Sequence, residues 1–254
     1  MTRIVAVANQ KGGVGKTTTT VNLATALAAI GKKVLVIDID PQGNASTSFG
    51  IEPAKRNVTV YDLFIAPNIS ITRAIMATEI PNLDLITATI DLAAAQSELG
   101  DTPKKEMIIK NRLQQIKEQY DFIFFDCPPS LNLLTINALA AADSILIPLQ
   151  CEFLAMEGLA YLINTLKLIR GSINKSLKIE GVVLTMYDKR NRLSWHVAEE
   201  VRKELGDLVY NAMIPRNIKL SEAPSHGKPA IIYDTNCSGS ITYMLLAQEF
   251  IEKL

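Results

Sequence analysis

Several stretches of this chain are apolar almost without interruption, and longer stretches with helical periodicity lie between them. The uninterrupted ones fall at residues 3–9 (RIVAVAN), 33–38 (KVLVID), 83–87, 122–126 (FIFFD), 144–148, 181–186 and 212–215. They are short, rich in β-branched and aromatic residues, and read as strands. Residues 17–30, 104–119, 133–142, 157–169, 193–205 and 240–253 read as helices, the first (TTTTVNLATALAAI) stopped by Gly31. Strands buried on both faces and alternating with helices predict an α/β fold: a mostly parallel, twisted sheet with helices on both faces. No linker, internal repeat or low-complexity tract divides the 254 residues, so one domain over 1–254 is expected.

Composition fits a globular enzyme, with 48% hydrophobic and 20% charged residues. Lys+Arg and Asp+Glu both total 26, so no global charge points to nucleic acid or acidic lipid. The distribution is less even: residues 167–219 hold 11 basic against 6 acidic side chains, an asymmetry that can mark an interaction face. Three scattered cysteines (Cys127, Cys151, Cys237) form neither a disulfide framework nor a zinc spacing. No signal peptide precedes the first strand and no apolar run spans a bilayer, so a cytoplasmic location is expected.

Chemistry concentrates in "NQKGGVGKTTTT", residues 9–20. The phosphate-loop pattern G-x-x-x-x-G-K-[ST] fits at Gly15-Lys16-Thr17, but Gln10 stands where its first glycine belongs and Lys11 follows. The motif follows a strand and opens a helix, the context such a loop requires. Glycines at 12, 13 and 15 let backbone N–H groups turn toward phosphate oxygens, and the helix N-terminus adds partial positive charge. Lys16 would reach the β- and γ-phosphates, the amides of Gly12, Gly13, Val14, Gly15 and on to Thr18 would hold the triphosphate, and the Thr17 hydroxyl would ligate Mg²⁺.

Two acidic elements complete the pattern. Asp126 ends the apolar run 122–126, at the strand terminus where open α/β sheets place ligand chemistry, and is the candidate magnesium-holding carboxylate. The segment "DIDPQGN" (38–44) sets Asp38 and Asp40 two residues apart at another strand end, followed by Pro41 and leading to Asn44. One of these carboxylates could orient or deprotonate an attacking water, the other support the metal shell.

"KGGVGKTTTTVNLA", "VIDIDPQGN", "DFIFFDCPPSLNLLTINAL" and "IPRNIKLSEAPSHGKP", in that order across nearly the whole chain, resemble the ParA/Soj partitioning ATPases of the deviant Walker A P-loop class. The resemblance implies ATP as substrate, Mg²⁺ as cofactor and slow hydrolysis to ADP and phosphate. It makes Lys11 the signature lysine that reaches the partner subunit's nucleotide in an ATP-bound sandwich homodimer. Asp40 becomes the water-activating aspartate, also near the metal, and Asp38 part of the switch; Pro215, Arg216 and Asn217 border the adenine. It further implies nonspecific double-stranded DNA binding, hence nucleoid association, and a ParB-type partner that stimulates hydrolysis. Arg190 and Lys219 stand where DNA-contacting residues are expected, with Lys189, Arg192, Arg202 and Lys203 as helpers, and clustered cations need only phosphates to bind DNA without sequence preference. Larger relatives carry an N-terminal helix-turn-helix domain, which is not expected ahead of a first strand at residue 3.

Other classes fit less well. MinD-like membrane-positioning ATPases share the loop but end in a basic amphipathic helix, whereas this chain ends "SITYMLLAQEFIEKL", and membrane binding is not expected. An iron–sulfur-bridged relative would need cysteines at the dimer axis, in motifs unlike these. A metabolic ligase or kinase would need a further substrate motif, and His196 and His226 have no partners at catalytic or metal spacing.

Overall fold

The computed structural model describes residues 2–253. Seven strands form one sheet: β1 (Arg3–Val7), β2 (Val34–Asp38), β3 (Ile75–Ala77), β4 (Leu83–Ile86), β5 (Phe122–Asp126), β6 (Ser144–Gln150) and β7 (Lys178–Thr185). Their order is β3-β4-β2-β5-β1-β6-β7, parallel throughout except for the antiparallel edge strand β3. Helices connect them: α1 (Lys16–Ala29), α2 (Asn44–Ser48), α3 (Val60–Ile65), α4 (Ala95–Leu99), α5 (Ile108–Leu113), α6 (Leu133–Ala141), α7 (Ala155–Ser172), α8 (Arg192–Leu205), α9 (Ile218–Glu222), α10 (Ala230–Tyr233) and α11 (Ser238–Glu252).

The uninterrupted apolar runs become strands because the sheet is covered on both sides. Alternate side chains of one strand go to different cores. Val5, Val7, Val34, Val36, Phe122 and Phe124 pack beneath α1 and α11, whereas Ile4, Ala6, Leu35, Ile37, Ile123 and Phe125 face the opposite helices. Period-2 geometry divides each run between two apolar layers, so no polar alternation is left to see. The aligned register brings Val7, Asp126 and Asp38 level at the C-terminal ends of β1, β5 and β2. From β1 the chain goes outward to β2 on one side and β6 later adds on the other, which makes the end of β1 a topological switch point.

Two expectations fail. The helix foreseen over 104–119 is broken: Lys104 is left-handed (φ 58°), α5 covers only Ile108–Leu113, and a separate turn spans Lys117–Gln119. Tertiary contacts set these limits. Asn137 of α6 accepts from Ile109 N–H and donates to Lys105 O, while Arg112 donates to the carbonyls of Leu63, Ala66, Pro67 and Ile69. The strand foreseen over 212–215 makes a single isolated bridge, Pro215 to Tyr187 just beyond β7, and at its start Asn211 N–H and Ala212 N–H donate to the Glu249 carboxylate of α11 instead of a ladder. The edge strand β3, only three residues long, was not foreseen, because so short an apolar run (Ile75–Ala77) does not distinguish a strand from a loop.

Candidate nucleotide site

The loop between β1 and α1 is held at three points. Asn9 donates to Pro148 O (2.8 Å) and accepts from Lys11 N–H (3.1 Å); Gln10 donates to Thr165 of α7 (3.1 Å). Thr185, at the end of β7, donates to Val14 O (2.8 Å). Gly13 (φ 74°) and Gly15 (φ 87°) take left-handed conformations that a side chain would strain. An added Cβ at Gly12 or Gly13 would meet nothing within 4 Å, so both residues border open space. Helix α1 starts at Gly15 with no side-chain cap and no acidic residue in its first turn, leaving its first N–H groups free for an anion.

The two lysines point to different places. Lys16 is buried and its ammonium donates to Lys11 O (3.1 Å), inside the curve of the loop. Burial holds its pKa below that of an ordinary lysine, while Asp126, Cys127 and Asp40 pull it back up. Lys11 turns outward, half-exposed, and pairs with Glu152 in the turn before α7.

Asp126 is fully buried. It accepts from Thr17 Oγ1 (2.8 Å) and Thr20 Oγ1 (3.2 Å), and burial, with Asp38 and Asp40 nearby, lifts its pKa well above the usual carboxylate range. Asp38 is buried too, its pKa pushed up to about 6 mainly by burial. Its carboxylate accepts from Ser46 N–H (2.8 Å), Ser46 Oγ (2.7 Å) and Asp40 N–H (3.3 Å), which fastens α2 to the end of β2. Asp40 starts a tight turn: its side chain accepts from Gln42 N–H, and Gly43 N–H donates to its carbonyl. Pro41 lies within that turn and Asn44 begins α2.

Three carboxylates crowd this corner, and a divalent cation would relieve their repulsion. Among the described residues no group of three or more His, Cys, Asp or Glu is arranged to hold a metal alone. Thr17 with Asp126 and Asp40 instead offers the sparse oxygen set that suits Mg²⁺, which keeps waters and takes its remaining ligands from substrate phosphates. A groove of about 240 Å³ runs beside this corner, lined by Thr17, Thr18, Asn44, Thr47 and Lys228. A larger cavity, about 640 Å³, lies at the opposite end of the sheet beside Tyr120 and Asn174, away from the loop and the three carboxylates.

The remaining predicted residues divide. Pro215 bridges to Tyr187 beyond β7, Arg216 is exposed, and Asn217 caps α9 through Lys219 N–H (2.8 Å) while donating to Ser238 (2.8 Å). Lys189, Arg190 and Arg192 gather between β7 and α8, with Arg190 largely exposed and paired with Asp188. Lys219 pairs with Glu222 (2.9 Å) beside the Tyr233 ring. Arg202 and Lys203 do not join them. They lie at the other end of α8, where Arg202 donates to Tyr210 O and Asn211. Sequence reasoning missed Ser46, Thr20, Glu152 and the buried Arg56, which touches the back of the 40–47 segment. None stands in a recognisable spacing.

A glycine loop that leaves β1 and opens α1, with a buried carboxylate at the end of the adjacent β5, defines a P-loop NTPase. A family model described as an AAA domain matches residues 2–179. The chain is 52% identical over 253 residues to the chromosome partitioning protein ParA of Caulobacter vibrioides (strain NA1000 / CB15N), covering 99% of this chain and 94% of that one. It is 53% identical over 249 residues to the sporulation initiation inhibitor protein Soj of Bacillus subtilis (strain 168), covering 98% of each. Among solved structures, a cobyrinic acid a,c-diamide synthase from Mycobacterium smegmatis with bound ATP analog and magnesium matches at TM-score 0.84 and 34% identity, over 98% of this chain and 93% of that one. The chain belongs to the ParA/Soj family of chromosome-partitioning ATPases.

Proposed function

We propose that this protein is a Mg²⁺-dependent ATPase that uses nucleotide state to control its attachment to DNA. The observation that carries the reading is the divergence of two lysines in one loop: Lys16 lies inside the curve, where its own subunit's phosphates would sit, and Lys11 projects outward. Lys16 and the amides of residues 12–18 hold the triphosphate. Bound Mg²⁺, held by Thr17 with Asp126 and Asp40, neutralises phosphate charge. Lys11 leaves Glu152 to meet the phosphates of a second copy, so ATP favours a sandwich homodimer. Asp40 positions water for attack on the γ-phosphate, and the 40–44 turn with Asp38 behind it is the switch. Pro215, Arg216 and Asn217 border the base.

The dimer binds DNA through Arg190, Lys189 and Arg192 with Lys219, without sequence preference. A ParB-type protein stimulates hydrolysis, which is slow on its own, and releases the DNA. Arg202 and Lys203 are left out of this surface, since they lie at the far end of α8. A membrane-positioning role is less well supported, because the apolar face of α11 (Tyr243, Leu246, Ala247, Phe250) is already buried against the sheet. Among the described residues no helix is long and apolar enough to cross a membrane.

Sedimentation of Asp40→Ala with ATP, with ADP and with nonspecific DNA at two salt concentrations tests the scheme. ATP should yield a dimer that binds DNA and is released by salt. Lys11→Ala should bind ATP but remain monomeric; an undiminished dimer would refute the trans role. Arg190→Ala with Lys219→Ala should lose DNA and keep the dimer.

A further inference from the structure

Arg56 lies outside every motif discussed above and is 9% exposed. Its guanidinium donates through Nε and Nη2 to Ile51 O (3.1 and 2.7 Å), through Nη1 to Ala88 O (2.9 Å) and through Nη2 to Thr47 Oγ1 (2.9 Å). Thr47 donates in turn to Gly43 O (3.1 Å). The guanidinium also fills the space behind Gly43, where an added Cβ would collide with Nη1 and sit 2.9 Å from Ala88 O. One planar group therefore touches the end of the 40–43 turn, the C-terminal part of α2, the chain leaving α2 and the segment leaving β4.

Stability alone does not call for a cation here. Among the described residues no carboxylate lies within ion-pairing distance of Arg56, although the field of Asp38 reaches it. Withdrawing a guanidinium from water is costly, and an apolar side chain of similar volume is often at least as stabilising. What an apolar residue would not supply is a rigid fork of N–H donors that fixes three carbonyl and hydroxyl acceptors relative to one another.

We propose that Arg56 is a positioning residue for hydrolysis: its guanidinium pins the 40–47 segment to the end of β4, so that Asp40 is held at the nucleotide. The proposal rests on the reading of Asp40 given above. Arg56 touches no substrate and acts only through the backbone it holds. Its loss should therefore appear in turnover and leave ATP affinity nearly intact, because Lys16 and the 12–18 amides are anchored separately through Asn9, Gln10 and Thr185.

The test compares wild type, Arg56→Lys and Arg56→Met by titration with a fluorescent ATP analogue, by steady-state ATP hydrolysis per bound nucleotide, and by hydrogen–deuterium exchange. For Arg56→Met we expect kcat to fall at least tenfold with KM for ATP within threefold of wild type. Exchange should accelerate in residues 40–51 and not in the 9–20 loop. Arg56→Lys, a single point donor, should recover only part of the loss. If Arg56→Met does not fold, Thr47→Val, which removes one acceptor of the same guanidinium and leaves the residues of the 40–43 turn unchanged, should lower kcat with KM for ATP unmoved. A kcat per bound nucleotide within twofold of wild type overturns the proposal, as does a loss confined to KM or to overall stability. Wild-type protein that binds the analogue and hydrolyses nothing refutes the reading of Asp40 itself, and the proposal with it.

Discussion

Replacing Ser46 by alanine removes a hydroxyl with two partners. Ser46 Oγ donates to Asp38 Oδ2 at 2.7 Å and accepts from Ala88 N–H at 3.2 Å, all three groups being buried. A hydrogen bond to a charged group contributes roughly 1.5–3 kcal/mol, and a buried N–H left without an acceptor costs about 1–3 kcal/mol. Asp38 keeps Ser46 N–H and Asp40 N–H as donors, so the lower half of the combined range applies, about 3 kcal/mol. Ser48, two residues along the same short helix and equally buried, is the control. Its hydroxyl only donates back to Asn44 O, so Ser48→Ala should cost no more than about 1 kcal/mol. Urea unfolding followed by circular dichroism reads both. In a chain of this size about 3 kcal/mol corresponds to a Tm lowered by about 6–12 °C. Equal losses in the two variants would show that the Asp38–Ser46–Ala88 chain does not hold α2.

Three further outcomes follow from packing and burial. Gly50→Ala should destabilise by about 2–5 kcal/mol, since its φ of 78° is strained for alanine and its Cβ would lie 2.9 Å from Gly227 O; Gly31→Ala, with similar φ but open space, should cost only about 1–2 kcal/mol in the same urea titration. Tyr210→Phe removes a buried hydroxyl that has no partner among the described residues, so thermal unfolding should show unchanged stability or a gain of up to about 1 kcal/mol. Burial raises the Cys127 thiol well above its usual pKa and the Cys151 thiol to about 11, whereas Cys237 is half-buried. A chromogenic disulfide reagent at pH 8 should therefore titrate one thiol in native protein and three only in denaturant; two or more fast thiols would contradict the burial.

The layered sheet was legible because burial on both faces leaves strands apolar at every position, and the phosphate loop because phosphate chemistry demands glycine, lysine and threonine at fixed spacing. Asp38 and Asp126 could be placed at strand ends because each closes an apolar run, and the sheet register sets the two side by side. What stayed hidden depends on tertiary contacts that no local pattern encodes. Asn137 trims α5 from another helix, and Glu249 diverts the N–H groups of residues 211 and 212 from a ladder. Arg56 reads as an ordinary charged loop residue, since nothing near it in sequence announces that the fold closes over its guanidinium. Charge counting also grouped Arg202 and Lys203 with Arg192, although α8 carries them to opposite ends.

Where α2 ends, Gly50 meets Gly227 directly, main chain against main chain, in the turn that follows Lys219 and Glu222. Side chains at a contact behave as soft springs, because a rotamer hop can absorb an ångström of displacement at little cost. Two glycines offer no such slack. A sliding or tilting of α2 on its β2 anchor must push the 218–227 segment by nearly the same distance. The joint is stiff in compression, and in the other direction Ala45 and Phe49 of α2 share one buried apolar cluster with Leu220 and Ala223, so the basic segment is tied to the position of α2 both ways.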